Sequence, residues 1–264
     1  MWSSSNIIQK ITRLISLPQK ESILEVRFTN YNANRGVFNN SKNFSIIKKD
    51  EVLSLYPGMY VPPLTFSGSG YDHEDSFVLL KRPTNDATYV INSLYGGYIN
   101  AINEAKYNYI NEENTDRNRN DIALGHLINH ASGKKPNVEA FHFAWKDVLQ
   151  LLIYEKQEKE QEQGNEHKDY HCEYKENYFK KIYNINYLPK GEWYFDTQSN
   201  NTVHFPDRKN QPGEYLHRLK GIALVSIRDI VVDEELLLDY DLRINHSNSS
   251  NNNNLEWYKP ALKL

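Results

Sequence analysis

The run Ile222-Ala223-Leu224-Val225-Ser226-Ile227 limits how this chain can fold more than any other stretch. It is apolar almost throughout, of strand length, introduced by Gly221 and closed by the charged turn Arg228-Asp229. A second short apolar run follows at once in Asp233-Glu234-Glu235-Leu236-Leu237-Leu238-Asp239-Tyr240, and it delivers an Asp-Tyr pair. Almost a hundred residues upstream stands Gly125-His126-Leu127-Ile128-Asn129-His130, with Pro136-Asn137 shortly after. A fold that serves both motifs must bring together segments that are far apart in sequence.

The chain's 264 residues are enough to bury a substantial core in one domain or two. A formal net charge of −3 gives no general pull toward nucleic acid or an anionic membrane. No apolar stretch approaches the roughly 20 residues that a membrane-spanning helix needs, so no membrane partner is expected. Cys172 is the single cysteine; it excludes an internal disulfide and any cysteine-rich zinc cluster, and it suits a reducing compartment, nucleus or cytoplasm.

Residues 1–20 form a separate segment. Ile7, Ile8, Ile11, Leu14 and Ile15 recur at helical spacing behind the cap candidates Ser5 and Asn6, which predicts an amphipathic helix. Being basic and serine-rich, it has the composition of an organelle transit segment. With only one arginine, docking on the domain is favoured over targeting. From residue 21 the chain reads as strand-rich, with strands at Ile23-Leu24-Glu25-Val26-Arg27-Phe28, after the Asn34-Arg35-Gly36 turn, and at Val52-Leu53-Ser54-Leu55-Tyr56, closed by Pro57-Gly58. Further strands are expected at 76–81 and 88–92. Short, irregularly spaced strands predict an α+β domain that is predominantly β, spanning 21–260. Polar insertions near 111–120, 155–168 and 247–254 are expected as surface loops, with a solvated helix from Val148 leading into the second.

The Asn-His element, followed downstream by Glu-Glu-Leu-x-x-Asp-Tyr, resembles the SET-domain protein lysine methyltransferases, in the compact form without cysteine-rich zinc modules. The resemblance is firm at 124–137 and 221–240 and loose over the rest of 21–260. It implies a fold of several short curved sheets with a knot-like C-terminal substructure, and S-adenosyl-L-methionine as the methyl donor. Carried over position by position, it makes Tyr240 the catalytic tyrosine. Arg35 and Gly36 become the early glycine turn beside the donor's amino-acid end. Asn129 and His130 become the pair that holds the adenine and the methionine amine. Trp257, in Glu256-Trp257-Tyr258, would cover the adenine. Leu238 stands where relatives carry the Tyr or Phe that limits product multiplicity, and Tyr89 lies on the strand of the lysine channel. Departures from the family pattern fall at Ala131-Ser132-Gly133-Lys134-Lys135, at His126 in place of arginine, at Asn92 in place of aspartate, and at Asp233 in place of glycine.

The resemblance implies in-line methyl transfer to a lysine amine of a protein substrate, histone or non-histone, by a monomeric enzyme. Two other classes stay open: a SET-fold module that binds cofactor or peptide without turnover, and an unrelated β-rich interaction protein. His167, His171 and Cys172 include an i, i+4 histidine pair of the kind that ligates zinc. No fourth ligand accompanies them, so no metal is expected.

Overall fold

The computed structural model describes residues 3–16, 23–29, 35–40, 45–64, 78–81, 89–102, 122–162, 191–207 and 218–240. Strand is the commonest regular structure among the described residues, with two α-helices beside it. The elements are α1 (Ser4–Ser16), β1 (Leu24–Phe28), β2 (Arg35–Asn39), β3 (Val52–Leu55), β4 (Met59–Val61), β5 (Val78–Lys81), β6 (Val90–Asn92), β7 (Tyr98–Asn100), β8 (Asn129–His130), β9 (Val138–Ala144), α2 (Trp145–Glu162), β10 (Glu192–Asp196), β11 (Asn201–Phe205), β12 (Lys220–Ser226) and β13 (Leu237–Leu238). The strands form small sheets of two, three, five and three members, consistent with the predominantly β expectation.

The apolar run at 222–227 is the spine of the largest sheet, ordered β3-β12-β9-β13-β8. It is hydrogen-bonded on both edges, antiparallel to β3 and to the whole length of β9. Residues 221–226 are all buried, so no polar residue alternates along it except Ser226, whose hydroxyl donates to the Lys48 carbonyl at 2.6 Å. At its start, a Cβ on Gly221 would run into the Phe143 ring, with Cε1 at 2.7 Å. Glycine is required there by that close packing.

Helix α1 uses the predicted face. Ile7, Ile11 and Ile15, four residues apart, are 2%, 0% and 2% exposed and belong to the same core as β3, β12 and α2. On its rim Lys10 reaches Glu51 and the Asp50 carbonyl, each at 2.8 Å. The segment weighed against a targeting role is therefore packed into the domain. Helix α2 extends through Glu162, so the first part of the charged stretch near 155–168 is helical where a loop was expected. Residues 163–168 and the insertions at 111–120 and 247–254 lie outside the described residues, as do His167, His171 and Cys172.

Two links bring the distant motifs together. Residues 233–236 first run along β2: Asp233 N donates to the Asn39 carbonyl at 3.1 Å, Asn39 N to Glu234 O at 3.0 Å, and Leu236 N to Val37 O at 2.7 Å. The chain then enters the large sheet as β13, lying between β8 and β9 and parallel to both. Strands β8 and β9 are the two arms of the loop 131–137, so 237–238 pass between the arms of that loop. Whether the segment after Tyr240 continues past it, as the family resemblance implies, falls outside the described residues.

Candidate active site

Asn137 fixes the position of β13 with its whole side-chain amide and its main-chain N–H. Fully buried, its Oδ1 accepts from Leu237 N at 2.7 Å, while its Nδ2 donates to the Glu235 carbonyl at 2.8 Å and to Glu234 Oε1 at 3.1 Å. Its main-chain N–H donates to the Leu237 carbonyl at 3.0 Å. A buried amide satisfied on all sides specifies one arrangement of its neighbours. Its partner Glu234 also accepts from Arg228 and, at 3.0 Å, from Val231 N. Burial works against the Glu234 carboxylate, but Arg228, Val231 and Asn137 together hold it below the usual range.

With β13 in place, Tyr240 lies over the Asn-His element. Its hydroxyl donates to the Ile128 carbonyl at 2.5 Å, and its main-chain N–H donates to His130 Nδ1 at 3.2 Å. The two rings are 5.3 Å apart, centroid to centroid. Burial pushes the Tyr240 phenol up from its ordinary value, so the hydroxyl keeps its proton through the neutral range. With that proton directed at Ile128, the remaining lone pairs are the oxygen's free acceptors. His130 is buried, and Asp239 approaches its Nδ1 to 3.9 Å.

Asn129 turns toward Arg35 and Gly36, which were expected in a turn and stand at the start of β2. Its Nδ2 donates to the Arg35 carbonyl at 3.0 Å and to Glu235 Oε1 at 2.8 Å. Gly36 has no room for a side chain. An added Cβ would collide with the Glu235 carboxylate, and would stand 2.7 Å from Thr29 Cγ2 and 3.0 Å from Asn129 Nδ2. The close approach that Gly36 permits is made here by Glu235 and Asn129. Both amide hydrogens of Asn129 are thus engaged within the protein, and its Oδ1 accepts no hydrogen bond from the described residues. The Arg35 guanidinium stands 5.2 Å from the centre of the exposed Phe28 ring.

Leu238 is 5% exposed within the main core, where Tyr89 and Tyr240 also pack. Tyr89 lies 6.3 Å, ring to ring, from the buried His126. Burial lowers the His126 imidazole to about 4, against a weaker raising contribution from the Ala123 main chain. An imidazole in this place is neutral near pH 7, unlike the arginine common there in the resembled family. Trp257 lies outside the described residues.

Reading the sequence missed Tyr56 as a site residue. Burial, together with the nearby Tyr240 and Tyr89, pushes its phenol well above the ordinary value. Tyr89 and Tyr240 pack against the core to which Tyr56 belongs. The only local signal was the aromatic closing the strand before Pro57-Gly58.

The chain matches no family model and no curated protein. Among solved structures it is similar to the crystal structure of CpSET8 from Cryptosporidium, at 15% identity and a TM-score of 0.34, over 92% of this chain and 83% of that one. So distant a likeness carries no functional argument.

Proposed function

We propose that this chain is an S-adenosylmethionine-dependent protein lysine N-methyltransferase of the SET-domain type. The observation that carries the reading is the placement of β13 between β8 and β9, which sets Tyr240 on His130 and the Ile128 carbonyl while Glu235 meets Asn129 and Gly36. The motifs on which the family resemblance rests are, in this way, in direct contact.

The residues fit the amino-acid end of the methyl donor by the chemistry they leave open. Asn129 Oδ1 accepts no hydrogen bond from the described residues, and beside it stand the Arg35 carbonyl and the Glu235 carboxylate. These are acceptors suited to an ammonium, and Arg35 supplies a cation for a carboxylate. When bound, S-adenosylmethionine would supply an electrophilic methyl group on a sulfonium.

The chain's own groups do the rest. Tyr240, with its proton committed to Ile128, offers oxygen lone pairs toward an electron-poor C–H group. Its place against His130 fixes the direction of those lone pairs. Tyr56, Tyr89 and Leu238 contribute aromatic and apolar wall that excludes water, and burial there favours the neutral form of a lysine amine. Alignment and desolvation are what an in-line displacement demands.

Calorimetric titration with S-adenosylmethionine tests the reading. The parent binds, and Asn129→Ala, which removes an acceptor and both ties to Arg35 and Glu235, binds at least about tenfold more weakly. A parent that shows no binding refutes the proposal.

A further inference from the structure

We infer that Glu235 makes this site select ligands that carry a free α-ammonium group, an inference that rests on the methyl-donor reading above. Three acids stand in sequence at 233–235, and two are already matched by cations. Asp233 is paired with Arg27 Nη1 at 2.7 Å, and Glu234 with Arg228. Glu235 has no cationic partner among the described residues. Its Oε1 accepts from Asn129 Nδ2 at 2.8 Å, and its Oε2 accepts no hydrogen bond from the described residues.

The place of that carboxylate is fixed by the fold. Glu235 pairs with Phe38 across the ladder that joins β2 to 233–236, and its carbonyl is held by Asn137 Nδ2 at 2.8 Å. The carboxylate lies against Gly36, in the space that a Cβ would otherwise fill. Because Asn129 has given one amide hydrogen to Glu235 and the other to Arg35 O, the acceptors left beside the start of β2 are Asn129 Oδ1 and Glu235 Oε2.

A group that satisfies both acceptors, one of them anionic, must donate more than one hydrogen and carry positive charge. An ammonium does both. A methylene in its place leaves the carboxylate beside an apolar group and without a donor, and charge-assisted bonds of this kind are the strong ones. Glu235 is therefore a specificity-determining residue, acting by its charge.

Glu235→Gln isolates that charge, because the amide oxygen still accepts from Asn129 and the side chain keeps its volume. The ligands are S-adenosylhomocysteine and its des-amino analogue, which differ only at the α-amine, titrated by calorimetry into parent and variant. The parent is expected to prefer the amine-bearing ligand by at least about tenfold, and Glu235→Gln to reduce that preference by about tenfold. A folded Glu235→Gln variant with the parent's preference overturns the inference and leaves the methyl-donor reading standing. A parent that binds neither ligand overturns both. Should Glu235→Gln fail to fold, Glu235→Asp serves in its place. That variant retains the charge, so a preserved amine preference supports the inference and a lost one overturns it.

Discussion

Asn137→Ala is the substitution whose cost the structure fixes most closely. The Asn137 side chain makes three hydrogen bonds in a fully buried position, and alanine makes none of them. The change strands the Leu237 N–H and the Glu235 carbonyl, main-chain groups that the Asn137 side chain holds. Each buried group left without a partner costs about 1–3 kcal/mol. Glu234 keeps Arg228 and Val231, so its loss is small. The sum is about 3 kcal/mol, which for a domain of this size lowers the melting temperature by about 6–12 °C. Urea denaturation gives the free energy, and amide hydrogen exchange locates it: Leu237 is expected to lose protection more than residues of β3 or β12. A destabilisation under about 1 kcal/mol, or exchange that rises evenly across the large sheet, would refute the reasoning that Asn137 holds β13 in place.

Two further predictions concern stability. Asp233 stands at φ 64°, in the left-handed region, where it replaces a glycine of the resembled family, and its exposed ion pair with Arg27 offsets part of the strain. Asp233→Gly is expected to leave stability nearly unchanged, while Asp233→Ala lowers it by about 1 kcal/mol, since it loses the pair and keeps the strain; equal urea midpoints for the two variants would contradict this. His126, lowered by burial to about 4 in the folded chain from its unfolded value near 6.5, confers stability that is complete above pH 6.5 and lost as pH falls toward 4. Between pH 7 and pH 5 this term removes about 2 kcal/mol, and His126→Gln is expected to flatten that part of the urea-midpoint profile.

Much of the local structure was legible in the sequence, and most of the long-range structure was not. Period and turn chemistry located α1, β1, β2, β3 and β12, because isoleucines at helical spacing, Pro57-Gly58 and an unbroken apolar run are properties of adjacent residues. The hairpin of β10 and β11 and the strand β9 were passed over. In Val138–Ala144, a buried end merges with half-buried positions and leaves no clean alternation. The site motifs were visible as sequence, but their bonding was not. Asn129 appeared free to bind a ligand with its whole amide, whereas the fold uses both hydrogens on Arg35 and Glu235. Asn137 looked like a flanking residue because its partners lie about a hundred positions away. No local pattern encodes a parallel two-residue strand that passes between two others.

The most direct test of the central claim is transfer of labelled methyl from S-adenosylmethionine to lysines in histones and in a whole-cell protein extract, comparing the parent with Tyr240→Phe. The phenylalanine ring preserves packing against His130 and loses only the oxygen that donates to Ile128. Labelled lysine is expected with the parent, and with Tyr240→Phe at least about a hundredfold less at similar donor affinity, since the lost oxygen acts on the transition state more than on binding. Equal labelling by parent and variant, or no labelled lysine from a parent that binds the donor, would contradict the claim that Tyr240 lies at the centre of a lysine methyltransferase.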